Sequence, residues 1–221
     1  MSVFHSVFDI IGPSMIGPSS SHTAGAVKIG KAAKHLFNGS VQHARIYLYG
    51  SFAKTYKGHG TDRALIAGIL GFETDDVRII DALALAKEVG LSYEFIEAHT
   101  AVEEPNTVRI ELINQTQSFE LLGVSLGGGK VEIREINGFA LHLSGNHPAI
   151  CVLHNDRFGA IAAVTKILAK YEINIGRMEV NRRDVGKEAL MTIELDQNID
   201  QEVEQELSAQ AHIVNVAKIV G

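Results

Sequence analysis

The last third of the sequence carries the pattern that most restricts the fold. It follows a turn-rich stretch, SGNHP, at residues 144–148. Helical spacing of apolar residues covers 157–171, and a more polar helix is predicted over 199–208. An apolar run of strand length occupies residues 149–154, and strands are also predicted over 173–180, 188–195 and 211–219. The order strand, helix, strand, strand, helix, strand predicts a ferredoxin-like βαββαβ domain.

The residues before this stretch mix helices and strands less regularly. Helices are predicted over three segments, 22–37, 61–70 and 81–88. Strands are predicted over six segments, 44–49, 93–98, 107–113, 117–123, 131–136 and 139–143. The predicted class is therefore α+β, with one domain over residues 1–146 and a second over residues 147–221.

Charge and hydropathy exclude several classes of partner. The 221 residues carry a formal net charge of -6, so no basic face for nucleic acid is expected. No apolar run approaches the roughly 20 residues of a membrane span. The first residues, MSVFHSVFDIIGPSM, lack the basic start and long apolar core of a signal peptide. We therefore expect a cytoplasmic protein that contacts neither nucleic acid nor membrane.

Cysteine and histidine usage bears on metal chemistry. The single cysteine, Cys151, lies in the apolar run AICVL and is predicted to occupy a buried strand position. One cysteine excludes an internal disulfide, a four-cysteine zinc site and an iron–sulfur cluster held by this chain alone. The ten histidines form neither HxH nor HExxH patterns, so no metal site is predicted.

The stretch GPSSSHTAGA, residues 17–26, gathers polar side chains at a predicted helix start. Any one of its three serines suffices as a helix cap. The additional hydroxyls and His22, at the positive end of a helix, would also suit a carboxylate or a phosphate. Gly25 and Gly30 indicate that another element packs closely against this helix. A capping role alone and a ligand-binding role both remain open.

The stretch KGHGTDR, residues 57–63, is predicted as a loop between a strand and a helix capped by Thr61. Flanking glycines would leave the imidazole of His59 accessible. Histidine is the side chain best suited to proton transfer near neutral pH. The alternative is an ordinary flexible loop with an exposed histidine.

Two other loops have less specific patterns. SLGGGK, residues 125–130, is not a Walker loop, because a strand follows it and its lysine precedes valine. An anion-binding nest and a plain hairpin connection are both compatible with it. NDRFGA, residues 155–160, joins a predicted strand to a helix, with Asp156 as the predicted cap. This junction suits a small ligand.

Three stretches together resemble the beta chain of bacterial iron–sulfur-dependent L-serine dehydratases, in the form split into two chains. They are SVFDIIGPSMIGPSSSHTAGA, LYGSFAKTYKGHGTDRAL and GGGKVEI. The segment HNDRFGAIAAVTKILAKYEINIGRMEVNR resembles an ACT domain, the ferredoxin-like module that senses amino acids. The first domain resembles the allosteric substrate-binding domain of some phosphoglycerate dehydrogenases.

The resemblance implies the conversion of L-serine to aminoacrylate with loss of water, then hydrolysis to pyruvate and ammonia. It also implies a [4Fe–4S] cluster, held by a separate alpha chain, that acts as Lewis acid on the substrate hydroxyl. With one cysteine and no Schiff-base cofactor site, this chain is not expected to dehydrate serine alone. The alternative function is a free-standing ACT-type sensor of amino acids.

The resemblance also implies site residues. His59 is the preferred proton-transfer base, and His22 is the second catalytic candidate. Substrate contacts fall on five residues, Ser20, Ser21, Thr23, Asn106 and Thr107. A regulatory ligand of the ACT domain would contact five others, Asn155, Asp156, Phe158, Gly159 and Ala160. The family segment HPNT is EPNT here, with Glu104 in place of the histidine. Self-association through ACT domains is expected.

Overall fold

The structure is a computed structural model that describes residues 14–219. Residues 6–13 of the first family-like stretch, and most of the segment on which the absence of a signal peptide was predicted, lie outside the described residues. The chain divides into two compact units, Met1–Asn137 and Gly138–Gly221. This division precedes residue 147, where the second domain was predicted to begin, and that domain boundary stays a prediction.

The first unit combines a mixed sheet with four helices within its described part. Its helices are α1 (Gly25–Phe37), α2 (Gly50–His59), α3 (Thr61–Ile69) and α4 (Ala82–Glu88). Its strands are β1 (His43–Leu48), β2 (Ser92–Glu97), β3 (Thr107–Ile113), β4 (Ser118–Gly127) and β5 (Lys130–Ile136). Strand order is β2-β1-β3-β4-β5, with β1 parallel to β2 and the other neighbours antiparallel.

Glycine allows α1 and α3 to approach each other closely. A Cβ at Gly30 would overlap the carbonyl oxygen of Leu65, and one at Gly68 would overlap the carbonyl oxygen of Val27. Gly25 faces the side chain of Ser125 on β4 in the same manner. The prediction that another element packs against the small residues of α1 is confirmed, and this packing fixes the start of α1, which lies three residues after His22.

The second unit contains the predicted βαββαβ order. Its elements are β6 (Phe139–Ser144), β7 (Ala149–Asn155), α5 (Ala160–Lys170), β8 (Ile175–Arg182), β9 (Glu188–Leu195), α6 (Gln201–Ser208) and β10 (Ile213–Ile219). The antiparallel sheet has the order β10-β7-β9-β8. Val164, Ile167 and Leu168 of α5 are buried in its core, whereas Ile161 of the same helix is exposed. The α+β class is confirmed.

No helix among the described residues is both long and apolar enough to cross a membrane.

Candidate active site

The serine-rich stretch begins a helix with an unusual first turn. Ser20–Ala24 forms a π-helical turn that continues directly into α1, so the helix begins before residue 22. Ser19 caps this turn, because its Oγ accepts a hydrogen bond from the backbone N–H of His22 at 3.2 Å. The predicted capping by a serine is confirmed. The wider turn places the imidazole of His22 inside the first unit, where 8% of its surface is exposed.

Three serine hydroxyls surround the ring of His22. Nδ1 lies 3.3 Å from the Oγ of Ser19 and 3.3 Å from the Oγ of Ser21. Nε2 lies 3.2 Å from the Oγ of Ser51, on helix α2. Both ring nitrogens therefore have hydrogen-bond partners within the chain. Burial, reinforced by the nearby His59, lowers the pKa of His22, so its neutral form is favoured.

His59 packs against the His22 ring and lies at the opposite end of α2 from Ser51. The two rings lie edge to face, with centroids 4.7 Å apart and planes at 86°. Phe52 also packs edge-on against His22, at a centroid distance of 5.3 Å. Unlike His22, His59 is exposed. The structure thus pairs a buried, hydrogen-bonded histidine with a solvent-accessible one.

The predicted loop around His59 is wrong, because residues 50–59 form helix α2. Gly58 lies within this helix, and His59 is its last residue. Gly60, at φ 70°, ends α2 and begins α3, a left-handed conformation that glycine adopts without strain. Thr61 is consequently the first residue of α3 and not its cap, and its buried Oγ1 has no hydrogen-bond partner.

A cavity of about 300 Å³ lies beside His59. It is lined by Ile16, Gly17, Pro18, Thr23, Lys57, Gly58, His59, Gly60, Arg63, Ile79 and Ile80. Among these described residues, Lys57 and Arg63 are basic and none is acidic. The lining therefore favours a small molecule with a negative group.

The predicted substrate-binding residues do not all reach this cavity. Thr23 lines it, although its Oγ1 is buried without a hydrogen-bond partner. Ser21 faces the His22 ring, and the carbonyl of Ser20 accepts the backbone N–H of Gly25. Neither serine is among the described residues that line the cavity.

Asn106 and Thr107 stabilise the segment that precedes β3. The Thr107 hydroxyl donates to the carbonyl of Glu104 at 2.7 Å, and the Asn106 carbonyl accepts the N–H of Ser125 at 2.9 Å. Both residues lie outside the described lining of the cavity. The side-chain Oδ1 of Asn106 is buried without a partner. The carbonyl of Pro105, between Glu104 and Asn106, accepts the N–H of Ser51 at 2.6 Å.

Ser51 is the site residue that sequence reasoning missed. It lies in the first turn of α2, a helix that was not predicted from the sequence. Its contact with His22 joins residues 29 positions apart. The available signal was its place directly after a buried strand, within the family-like stretch LYGSFAK.

The glycine-rich loop at residues 125–130 connects β4 and β5 as a hairpin. Lys28 of α1 donates to the carbonyl of Gly129 at 2.8 Å. This carbonyl is an acceptor, and it faces a cation. The geometry favours the hairpin interpretation over the anion-binding nest.

The described residues do not offer ligands for an iron–sulfur cluster. Residues 14–219 contain no group of three or more His, Cys, Asp or Glu side chains placed to hold a metal ion. Cys151 is buried in β7 as predicted, and burial raises the pKa of its thiol to about 12. Such a thiol resists the deprotonation that iron binding requires.

The junction between β7 and α5 differs from its prediction in one respect. Asp156 does not cap α5, because Gly159, at φ 88°, occupies the cap position. The Asp156 carboxylate instead accepts the N–H of Gly186 at 3.0 Å and a hydrogen bond from Arg182 at 3.2 Å. These bonds, the one from Gly186 first, lower the pKa of Asp156.

The remaining residues of the junction differ in exposure. Asn155, Phe158 and Gly159 are exposed, and the Phe158 side chain is fully so, whereas Ala160 is buried.

Comparisons with known proteins agree with this architecture. The model of the serine dehydratase beta chain family matches residues 6–96, and that of the ACT domain matches residues 150–212. The chain is 55% identical to the "Probable L-serine dehydratase, beta chain" of Bacillus subtilis (strain 168), over 98% of both chains. It is 40% identical to the "L-serine dehydratase, beta chain" of Peptoniphilus asaccharolyticus, over 87% of both.

A third relative is the D-3-phosphoglycerate dehydrogenase of Bacillus subtilis (strain 168). The identity is 28% over 88% of this chain, but only 37% of the dehydrogenase is covered. The match supports the resemblance to a domain of phosphoglycerate dehydrogenases.

Proposed function

Because the chain belongs to the serine dehydratase beta chain family, we propose that it is the beta subunit of an L-serine dehydratase and supplies the proton-transfer side of the active site. The observation that carries this proposal is the exposed His59 beside a small basic cavity. That geometry lies within the segment that the family model matches.

The reaction removes water from L-serine. The Cα–H bond breaks and its electron pair forms the double bond of aminoacrylate, while the Cβ–O bond breaks and the hydroxyl leaves. Aminoacrylate then takes up water and gives pyruvate and ammonia. A [4Fe–4S] cluster held by the alpha chain would supply the Lewis acid for the leaving hydroxyl. The described residues of this chain do not fit such a cluster, and their part is to bind, orient and accept a proton.

His59 is the residue that accepts the α-proton. Its exposed imidazole can reach a substrate in the adjoining cavity, and neutral histidine is a competent base near pH 7. His22 orients His59. Both ring nitrogens of His22 are hydrogen-bonded to serines, and its ring packs edge to face against that of His59. The two histidines therefore have different roles.

The substrate carboxylate lies near Lys57 and Arg63. These two side chains give the cavity a positive potential, and its volume of about 300 Å³ suits a molecule as small as serine. Thr23 contributes to the same wall. The other predicted residues support the site indirectly. Ser20 and Ser21 belong to the helical turn that carries His22, and Asn106 and Thr107 stabilise the segment that precedes β3.

The ACT domain regulates the enzyme and associates with a second copy of itself. Asn155 and Phe158 are exposed at the β7–α5 junction, where a small ligand or another chain can reach them. Replacing Asn155 with Ala should change the response of the dehydratase to amino acids while leaving turnover of L-serine intact. An unchanged response would limit this domain to association.

The direct test is reconstitution with the cysteine-bearing alpha chain under anaerobic conditions. The complex should be brown and should form pyruvate from L-serine, whereas neither chain alone should form pyruvate. A complex with its cluster intact that forms no pyruvate would overturn the proposal. Tight amino-acid binding by the isolated chain, without complex formation, would instead support a free-standing sensor.

A further inference from the structure

Ser51 occupies a fixed position between two parts of the first unit. Its Oγ lies 3.2 Å from Nε2 of His22, while its backbone N–H donates to the carbonyl of Pro105 at 2.6 Å. The same carbonyl accepts the N–H of Phe52 at 3.4 Å. The segment before β3 therefore anchors the start of α2, and with it the serine hydroxyl.

Close packing around the start of α2 restricts the movement of Ser51. A Cβ at Gly50 would come within 2.5 Å of the Pro105 carbonyl oxygen, so the two backbones touch. Phe52 is completely buried and packs against the His22 ring. Closely packed neighbours therefore hold the Ser51 hydroxyl in place beside His22.

A neutral imidazole has one N–H donor and one lone-pair acceptor. In His22 the Nδ1 side faces two hydroxyls, of Ser19 and Ser21, and the Nε2 side faces the single hydroxyl of Ser51. Hydroxyls donate or accept according to need, so a serine pairs with each ring nitrogen in either tautomer, and the three hydroxyls together hold the ring in place. Without Ser51, Nε2 would lie buried and unpaired, and the ring would lose the hydrogen bond that holds its Nε2 edge.

We infer that Ser51 is a positioning residue, whose hydroxyl fixes the orientation of His22 and, through the contact between the two rings, the orientation of His59. Helix α2 thereby acts on both histidines: its first turn holds one and its last residue is the other. The kinetic part of this inference rests on the proposed function, and the part that concerns the orientation of His22 does not.

The matched variants are Ser51→Ala, Ser51→Thr and Thr55→Val. Ser51→Ala removes the hydroxyl, and Ser51→Thr retains it. Thr55 lies one turn further along α2, and its hydroxyl bonds only the carbonyl of Ser51 among the described contacts, at 2.8 Å. Thr55→Val therefore tests whether the loss of any hydroxyl from this helix has the same effect.

The first measurement is the imidazole ¹⁵N spectrum of the full chain at neutral pH. We expect the same sharp pair of His22 ring signals in the unaltered chain, in Thr55→Val and in Ser51→Thr. In Ser51→Ala the Nε2 signal should shift and broaden, because its hydrogen bond is lost and the ring is held less firmly, with the backbone amide spectrum otherwise preserved. An unchanged His22 signal in a folded Ser51→Ala chain would overturn the inference.

The second measurement is pyruvate formation by the reconstituted complex. Ser51→Ala should lower kcat roughly tenfold with little change in KM, the size expected for the loss of one orienting hydrogen bond. Ser51→Thr should recover most of that loss. If the unaltered complex is active and the Ser51→Ala complex is equally active, the inference about Ser51 fails, whereas the proposed function stands. If the unaltered complex is inactive, the proposed function fails, and the spectrum still tests whether Ser51 holds the His22 ring.

Discussion

Each unit has a polar run at the start of a helix, and the two runs differ in how deeply they are buried within their own unit. In the first unit the residues up to Thr23 turn toward the interior of the unit, and the His22 side chain is buried among hydroxyls of serines from two helices. In the second unit the β7–α5 junction faces outward, with Phe158 fully exposed. A polar run at the start of a helix therefore yields a preorganised buried site in one unit and an accessible surface in the other.

The difference arises from what packs against each helix. α1 lies against α3 and β4 through contacts that only glycine permits, so its first turn is enclosed. At Gly159 of the second unit, an added Cβ would meet nothing within 4 Å. Chemistry that needs fixed geometry is expected in the first environment, and reversible ligand binding or association in the second.

The largest effect is expected from enclosing contacts in the first unit. Gly68→Ala would place a Cβ against the backbone of α1, at Val27 and Lys31, and neither helix can yield locally. We expect a loss of about 3 kcal/mol in the free energy of unfolding, at the upper end for overpacking. Urea unfolding monitored by amide hydrogen exchange in α1 and α3 would measure it.

Gly58→Ala is the matched control, since Gly58 lies inside α2 and its Cβ would meet nothing within 4 Å. It should be neutral or stabilising by about 0.5 kcal/mol. If Gly68→Ala is as stable as Gly58→Ala, the first unit is not enclosed as described.

A smaller effect is expected at the open junction of the second unit. Gly159→Ala meets no atoms, but it forces alanine into the left-handed region at φ 88°. The cost should be about 1 kcal/mol, from backbone strain alone. Thermal unfolding would show the shift, and a loss as large as that of Gly68→Ala would mean that the junction is enclosed too.

The smallest effect concerns the carboxylate of Asp156. Its pKa is lowered in the folded chain, so the ionised form contributes stability above the unfolded pKa of about 3.9. That contribution is lost as pH falls through the folded pKa. Asp156→Asn should therefore lower Tm slightly at pH 7, and the difference from the unaltered chain should shrink toward pH 3. A difference that grows on acidification would contradict this assignment.

The sequence was most informative where structure is local. Residues 107–113 were predicted as a strand and form β3 with the same bounds, because apolar alternation marks a half-buried strand. The order of elements in the second unit was equally readable. Cys151 was correctly placed in a buried strand.

The sequence was least informative where contacts between distant elements decide. Helix α2 was missed because its glycines at positions 50 and 58 are typical of loops, whereas the carbonyl of Pro105 holds its first turn. The contact of Ser51 with His22 spans two elements and leaves no local pattern. Neither fact could be obtained from propensity or spacing.

The central claim is that His59, and not the enclosed His22, takes the proton from the substrate. The most direct measurement is pyruvate formation from L-serine by the alpha-chain complex carrying His59→Ala, with complex assembly verified by size-exclusion chromatography. We predict a normal complex whose turnover falls by about 100-fold or more, the usual contribution of a general base. A complex of His59→Ala that retains most of its activity would contradict the account.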